Sequence, residues 1–393
     1  MKIGLCTDTL LPIVDGVGRV VHQYALTLSD MGHECYVITP MADTGYRGGY
    51  PFELVDFCSA SLPRSPQYKM GIPIWDHHYN ERMKHIKLDI LHAHSPFIAG
   101  QEAIRLSNKR KIPLIGTFHS KYYDDFLKIT KQEHLAQLGV KFVVDFYQKC
   151  DEVWAVSKTT ADVLWDYGYT GTIQVMPNGA QIRAPQKGLE AKINGLFALD
   201  DSQILLYVGQ LNWKKNILLI LKACALLKNE GVRFKLVMAG QGPDSDDIKE
   251  KAAELGLEQS IVFTGHISQM EALDGLYQRA SLFVFPSLYD NAPMVVREAA
   301  IMGTPSILAR GSSAAEVIED GKNGLLCGDA PEDLCRVIKN ALADPDLISA
   351  LGENAKNTIP VSWYDIISDV AVRYEQLIEN YQSAQAIGAR MLD

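Results

Sequence analysis

Along this chain, short runs of β-branched and aromatic residues alternate with longer segments whose apolar positions recur every three or four residues. KIGLCTD, CYVITP, DILHAHS, IPLIGTF, EVWAVS and IQVMP fall in the first 180 residues, and ILLYVG, FKLVMAG, IVFTG, LFVFPS and PSILA follow. None alternates strictly between apolar and polar, which is the mark of strands covered on both faces. Helical periodicity fills the intervals, most clearly over 18–32, 133–149, 216–230, 270–280 and 331–343. Strand–helix–strand repetition predicts parallel sheets joined by right-handed crossovers. Eleven strands fit two sheets better than one, and the polar stretch RAPQKGLEAKINGLFALDDSQ (183–203) separates the two sets. The expected fold is therefore α/β, with two doubly wound Rossmann-like domains over 1–182 and 183–362. A further amphipathic helix, about 363–385, lies beyond the last strand and either caps the second domain or crosses back to the first.

A length of 393 residues allows each domain its own core. The net charge is −9; residues 1–180 carry 18 Lys+Arg against 19 Asp+Glu, leaving 20 against 28 for the rest. With SNKRKIP (107–113) as the one basic cluster, there is no positive stripe for a nucleic acid, and no such partner is expected. Seven scattered cysteines without a C-x-x-C pair read as reduced thiols of a cytoplasmic protein. MKIGLCTD reaches an acid too early for a secretory apolar region, and NILLILKACALLKN is too short and lysine-broken to span a bilayer.

Ligands of open parallel sheets sit at the carboxyl ends of strands, so chemistry is sought there. After the first strand, Gly16 and Gly18 open a helix where backbone can approach an anion or a sugar. The dinucleotide pattern fails, since G-V-G-R-V-V lacks the third glycine and the second strand ends ITP without a ribose-binding acid. His94 and His119 both end strands, and His119 is favoured because Ser120, Tyr122 and Tyr123 follow it. The His92-x-His94 pair is read as structural, on the expectation that strand alternation turns the two rings apart. Lys214 and Lys215 precede a helix, whose positive N-terminal dipole calls for a compensating anion beside them. The D-x-D at Asp244 and Asp246 reads as a helix cap. No nucleophile elbow, H-E-x-x-H helix or Walker loop occurs, and no metal site is expected.

The segment PSLYDNAPMVVREAAIMG (286–303) is the richest. Pro293 suits the first helical turn, with Asn291 or Ala292 at the cap and the amides of Met294 and Val295 open to an anion. Glu298 lies five residues beyond Pro293, ~7.5 Å along the axis, and Asp290 lies on the other side of the helix start. An anion flanked by two carboxylates that accept from hydroxyls has the layout of a nucleotide sugar.

This D-x7-E element, followed by GTPSILARGSSAAEVIEDGKNGLL, resembles the E-x7-E region of retaining glycosyltransferase family 4, whose two Rossmann-like domains face across a cleft in the GT-B fold. GHECYVITP, LDILHAHS, TFHS, AVSKTTADVL, VMPNGA, YVGQL, GQGP and VFTGH fall in the family's order over nearly the whole chain. The resemblance implies a nucleotide-sugar co-substrate, a UDP-hexose, with no other cofactor and no metal. Asp290 and the backbone of Ala292, Pro293 and Met294 would hold the donor sugar, with Asn291 and Val295 beside them. Glu298 would bind the ribose, Lys215 the diphosphate, and the backbone at Gly265–Ile267 the base (Gly265, Ile267). His119 would bind near the reacting centre, and Gly16 and Gly18 would lie between donor and acceptor. The family transfers with retention, the leaving phosphate taking the acceptor's proton, and its last helix returns to the first domain.

Three positions depart from the family pattern: Asp290 stands for Glu, Gln210 for an arginine of the donor site, and Gln181 for an Asp. The missing arginine bears hardest on diphosphate stabilisation, and Arg19 or Arg310 would have to replace it. TFHSKYYDDF resembles the matching segment of diacylglycerol glucosyltransferases, which implies a lipid acceptor and peripheral action at the inner face of the membrane. A polysaccharide precursor or a small metabolite is the other acceptor class. Competing functions are an epimerase or phosphorylase acting on a sugar phosphate, and a non-catalytic sugar-nucleotide-binding module.

Overall fold

The computed structural model describes residues 1–10, 16–40, 49–62 and 65–390. It divides into two compact units, Met1–Asn178 together with Trp363–Asp393, and Gly179–Ser362. The first division falls after Asn178 because Ala180 already bridges to Ser362, its amide donating to the Val361 carbonyl at 2.8 Å.

The first unit contains β1 (Lys2–Cys6), β2 (Glu34–Pro40), β3 (Glu53–Phe57), β4 (Ser59–Leu62), β5 (Ser65–Gly71), β6 (Ile90–Ala93), β7 (Leu114–Phe118), β8 (Glu152–Ala155) and β9 (Ile173–Val175). Seven of them form a parallel sheet in the order β3-β2-β1-β6-β7-β8-β9, while β4 and β5 pair as an antiparallel hairpin. Every residue of β6 and β7 is buried, which explains the unbroken apolar runs read from the sequence. Just past β1, Asp8 accepts from the Ala99 amide at 2.9 Å and from the Ser95 hydroxyl. It thereby caps the helix Ile98–Arg110, whose own N-cap, Phe97, makes no side-chain cap bond.

The second unit holds β10 (Gln203–Val208), β11 (Phe234–Ala239), β12 (Ile261–Gly265), β13 (Leu282–Phe285), β14 (Ser306–Ala309) and β15 (Leu325–Cys327). Their order, β12-β11-β10-β13-β14-β15, is that of a doubly wound sheet, reversing between β10 and β13. Both units are thus Rossmann-like. All eleven apolar runs contain a strand; β3, β4, β5 and β15 were not anticipated, being short or interrupted by acids and serines.

The helix Trp363–Arg390 belongs to the first unit. Trp363, Ile366, Ile367, Val370 and Tyr374 are buried, a stripe with three- and four-residue spacing. Trp363 meets Tyr24 edge-on, with ring centroids 6.1 Å apart, and Arg373 grips both oxygens of Glu152. Among the described residues no helix is long and apolar enough to cross a membrane.

Candidate active site

In the second unit two of the predicted donor residues, Lys215 and Asp290, meet beyond β10 and β13, where the sheet order reverses. The chain leaving β10 forms a 3-10 turn, Trp213–Lys215, built by side chains on either side of it. Asn212 Oδ1 accepts from the Lys214 amide at 3.0 Å, and Asp244 Oδ2 accepts from the Trp213 amide at 2.9 Å. Asp244 does stand at the N-cap of its own helix, with Asp246 in the first turn, as the D-x-D reading had it, but its side chain makes no cap bond there and holds the lysine turn instead. Asn216 takes a left-handed conformation (φ 58°) and donates to the Pro286 carbonyl at 3.2 Å, tying this turn to the loop after β13. Asn is one of the few side chains that tolerates that backbone.

These constraints bring Lys215 Nζ to 2.5 Å from Asp290 Oδ1, while the Ser287 hydroxyl donates to Asp290 Oδ2 at 2.6 Å. Both charged side chains are largely enclosed, at 15% and 19% exposure. The Tyr289 ring carries the Lys214 and Lys215 ammonium groups at 4.7 and 5.2 Å from its centroid, within cation–π range. The anion anticipated beside the lysines is thus supplied, without ligand, by Asp290.

The following helix runs Met294–Ile301 with Pro293 as its N-cap. At ψ 127° Pro293 is extended, so it stands before the first turn and not within it, and neither Asn291 nor Ala292 is the cap. Pro293 has no side chain to cap the helix, whose first turn presents the backbone of Met294 and Val295. Asn291 is buried; Ala292 and Pro293 are half-buried. Further along, Glu298 Oε2 accepts from the Tyr277 hydroxyl at 3.2 Å. Nearby, Arg183 pairs bidentately with the buried Asp274 and feels the charge of Glu298.

The neighbouring strand ends are tightly set. A Cβ on Gly240 would lie 1.9 Å from the Gly209 carbonyl oxygen, so only glycine permits the loops after β10 and β11 to touch. The Gly240 amide donates to Gly265 at 2.9 Å, and Ile267 packs partly against the core. Gln210 is exposed, its carbonyl accepting from the Tyr207 hydroxyl at 2.9 Å. Arg310, a candidate for the missing cation, forms an exposed pair with Asp320 at 2.7 Å.

The first unit carries its own buried polar group. His119 Nε2 lies 3.0 Å from His94 Nδ1. The His92 and His94 rings are 4.0 Å apart, so the expectation that they face opposite ways is wrong: residues two apart on a strand share a face. His92 is held by the Tyr374 hydroxyl at 2.5 Å and by Thr117 Oγ1 at 2.6 Å. Burial pushes His119 down to about 3, and burial with neighbouring imidazoles keeps His92 and His94 well below the ordinary histidine range. Gly16 and Gly18 form the first turn of the helix Gly16–Asp30; residues 11–15 lie outside the described residues. A Cβ on Gly16 would meet nothing within 4 Å, so packing does not demand glycine there. A cavity of about 510 Å³ in the same unit, lined by Tyr123, Val140, Val144 and Tyr167, contains none of the predicted site residues. Among the described residues no group of three or more His, Cys, Asp or Glu is arranged so that it could hold a metal ion.

Lys215, Asp290 and the start of the helix at Met294 therefore form one cluster, with Glu298 further along that helix, and His119 belongs to a second group in the other unit. Sequence reading missed Asn216, Ser287, Tyr289 and Tyr277. Only Asn216, a turn-former directly before a helical run, left a local signal.

The two halves match known families: residues 190–358 match the glycosyl transferases group 1, and residues 14–183 match Glycosyltransferase Family 4. The chain belongs to the group 1 glycosyltransferases of family 4. It is 28% identical over 362 residues to the alpha-monoglucosyldiacylglycerol synthase of Streptococcus pneumoniae, covering 88% of this chain and 80% of the relative. It is 24% identical over 406 residues to the GDP-mannose-dependent alpha-mannosyltransferase of Corynebacterium glutamicum, covering 100% and 91%. Among solved structures it resembles Anabaena HepE in complex with UDP and glucose, with a TM-score of 0.76 at 16% identity over 95% of this chain and 99% of that one.

Proposed function

We propose that this glycosyltransferase moves a hexose from a UDP-sugar to the hydroxyl of a membrane lipid such as a diacylglycerol, with retention and without a metal. The observation that carries the reading is the Lys215–Asp290–Ser287 cluster just before the helix that starts at Met294. An arriving diphosphate competes with Asp290 for the Lys215 ammonium and gains the helix N-terminal dipole as well. Released from Lys215, Asp290 is an acceptor for sugar hydroxyls, while Glu298, steadied by Tyr277, accepts from the ribose. In the chemical step the acceptor oxygen bonds to the anomeric carbon as the bond to the diphosphate oxygen breaks. The departing phosphate takes the acceptor's proton.

A UDP donor is supported by HepE, which was solved with UDP and glucose, although the mannosyltransferase relative uses GDP-mannose. A lipid acceptor is supported by two alpha-monoglucosyldiacylglycerol synthases, from Streptococcus pneumoniae and Acholeplasma laidlawii. It is supported also by Leu135, Leu138 and Phe142, which stand exposed on one stripe of the helix Glu133–Tyr147 with Lys128, Lys131 and Lys141 exposed nearby. That is the composition of a helix that lies at a lipid interface.

The test is nucleotide release from UDP-glucose and from GDP-mannose, with and without diacylglycerol in mixed micelles, and anomer assignment of the product by NMR. Release of UDP only with lipid, and an α-product, is the expected result. Release without any acceptor would favour the epimerase or phosphorylase reading, and a β-product would overturn retention.

A further inference from the structure

His92, His94 and His119 of the first unit form one buried polar group, and their contacts constrain where the protons sit. His94 is fully buried, and its Nε2 has no hydrogen-bond partner among the described residues. Its other nitrogen, Nδ1, is 3.0 Å from His119 Nε2. Tyr24 stands edge-on to the His94 ring at 5.0 Å, and the His92 ring lies 4.0 Å away, so His94 is walled by aromatic surfaces.

Both imidazoles are neutral at ordinary pH, since burial lowers each of them. Only one of the two facing nitrogens can therefore carry the shared hydrogen. If His119 Nε2 were the donor, His94 Nδ1 would be bare and His94 Nε2 would hold a buried N–H with nothing to receive it. If His94 Nδ1 is the donor, the unmatched nitrogen is a bare acceptor. Orphaned buried N–H groups are the rarer of the two and forfeit the full desolvation of a donor.

We infer that His94 is a positioning residue that donates from Nδ1 to His119 Nε2 and so fixes His119 as the tautomer protonated at Nδ1. His119 then offers its surroundings a hydrogen-bond donor and has no lone pair left with which to act as a base. The consequence for catalysis rests on the function proposed above: His119 would donate to a sugar oxygen, and the acceptor's proton would have to leave by way of the phosphate. Tyr374 and Thr117, one on each nitrogen of His92, hold the ring against which His94 packs.

The experiment is long-range ¹H–¹⁵N correlation on the ligand-free full chain with ¹⁵N-labelled histidine, His119 being assigned by its loss in His119→Asn. The expected spectrum shows His119 bare at Nε2 and protonated at Nδ1. In His94→Leu the two His119 nitrogens should move toward averaged shifts, and kcat/KM for transfer should fall roughly tenfold, the effect of one mispositioned hydrogen bond. In His94→Asn, whose amide nitrogen can stand where Nδ1 stood, the His119 tautomer and most of the activity should return. A wild-type His119 protonated at Nε2 would overturn the inference outright, whatever the variants do. So would an unchanged His119 tautomer in His94→Leu. If the tautomer is as stated but the wild type transfers no sugar, the proposed function fails and the inference about His94 stands.

Discussion

Mild acid should destabilise the first unit through its imidazoles before most carboxylates titrate. His119 is held at about 3 in the folded protein, against about 6.5 for a free histidine. Below about pH 6.5 the unfolded chain takes up a proton that the native state refuses. The stabilisation is therefore complete above the unfolded value and is lost as the pH falls toward the folded one. Between about pH 7 and about pH 5.5 this one group gives up about 1 kcal/mol. His92 and His94 are lowered in the same direction, by burial first and by neighbouring imidazoles, so they add to the acid sensitivity with the same sign. Asp8 and Asp151, which burial raises, act with opposite sign, so the comparison must be made between variants. Urea unfolding, followed by hydrogen exchange in the first unit, should be run at both pH values on wild type and His119→Asn. The variant should lose about 1 kcal/mol of the acid effect, one histidine's share. Parallel pH dependence in the two proteins would refute the account of buried neutral imidazoles.

Lys215→Ala should weaken nucleotide-sugar binding by about 10- to 100-fold, the range for a hydrogen bond to a charged group, as read by calorimetry; unchanged affinity would remove Lys215 from the donor site. Arg310→Ala should change donor affinity less than threefold by the same measurement if its exposed pair with Asp320 keeps it out of the diphosphate seat. Asn216→Ala should lower the stability of the second unit by about 1–3 kcal/mol, since alanine is strained at φ 58° and the bond to Pro286 is lost; chemical denaturation measures this. Phe142→Glu with Leu138→Glu should reduce co-sedimentation with anionic vesicles several-fold while leaving donor affinity unaltered.

The sheets were legible because their strands are covered on both faces, so that burial writes itself as unbroken apolar runs such as LFVF and FKLVMA. ELVDF was not, since β3 is an edge strand whose acids break the run. Lys215, Asp290 and Glu298 could be singled out because helix starts and strand ends have local signatures. Their supports were not, because Ser287 and Tyr289 earn their places only once β10 and β13 are neighbours. The cap was misread by one residue: proline is at home both at the first helical position and just before it, and only ψ of Pro293 separates the two. The histidine pair failed for a different reason, an error in applying the two-residue strand repeat.

The helix at Trp363–Arg390 has a consequence for biosynthesis. Since it supplies Trp363, Ile367 and Tyr374 to the interior of the first unit, the second unit is topologically an insertion within the first. A nascent chain can complete residues 179–362 while the amino-terminal sheet still waits for its final layer. During that interval Tyr24 and Trp154 lack their covering aromatic rings, and a ribosome stalled before residue 363 would display them to chaperones.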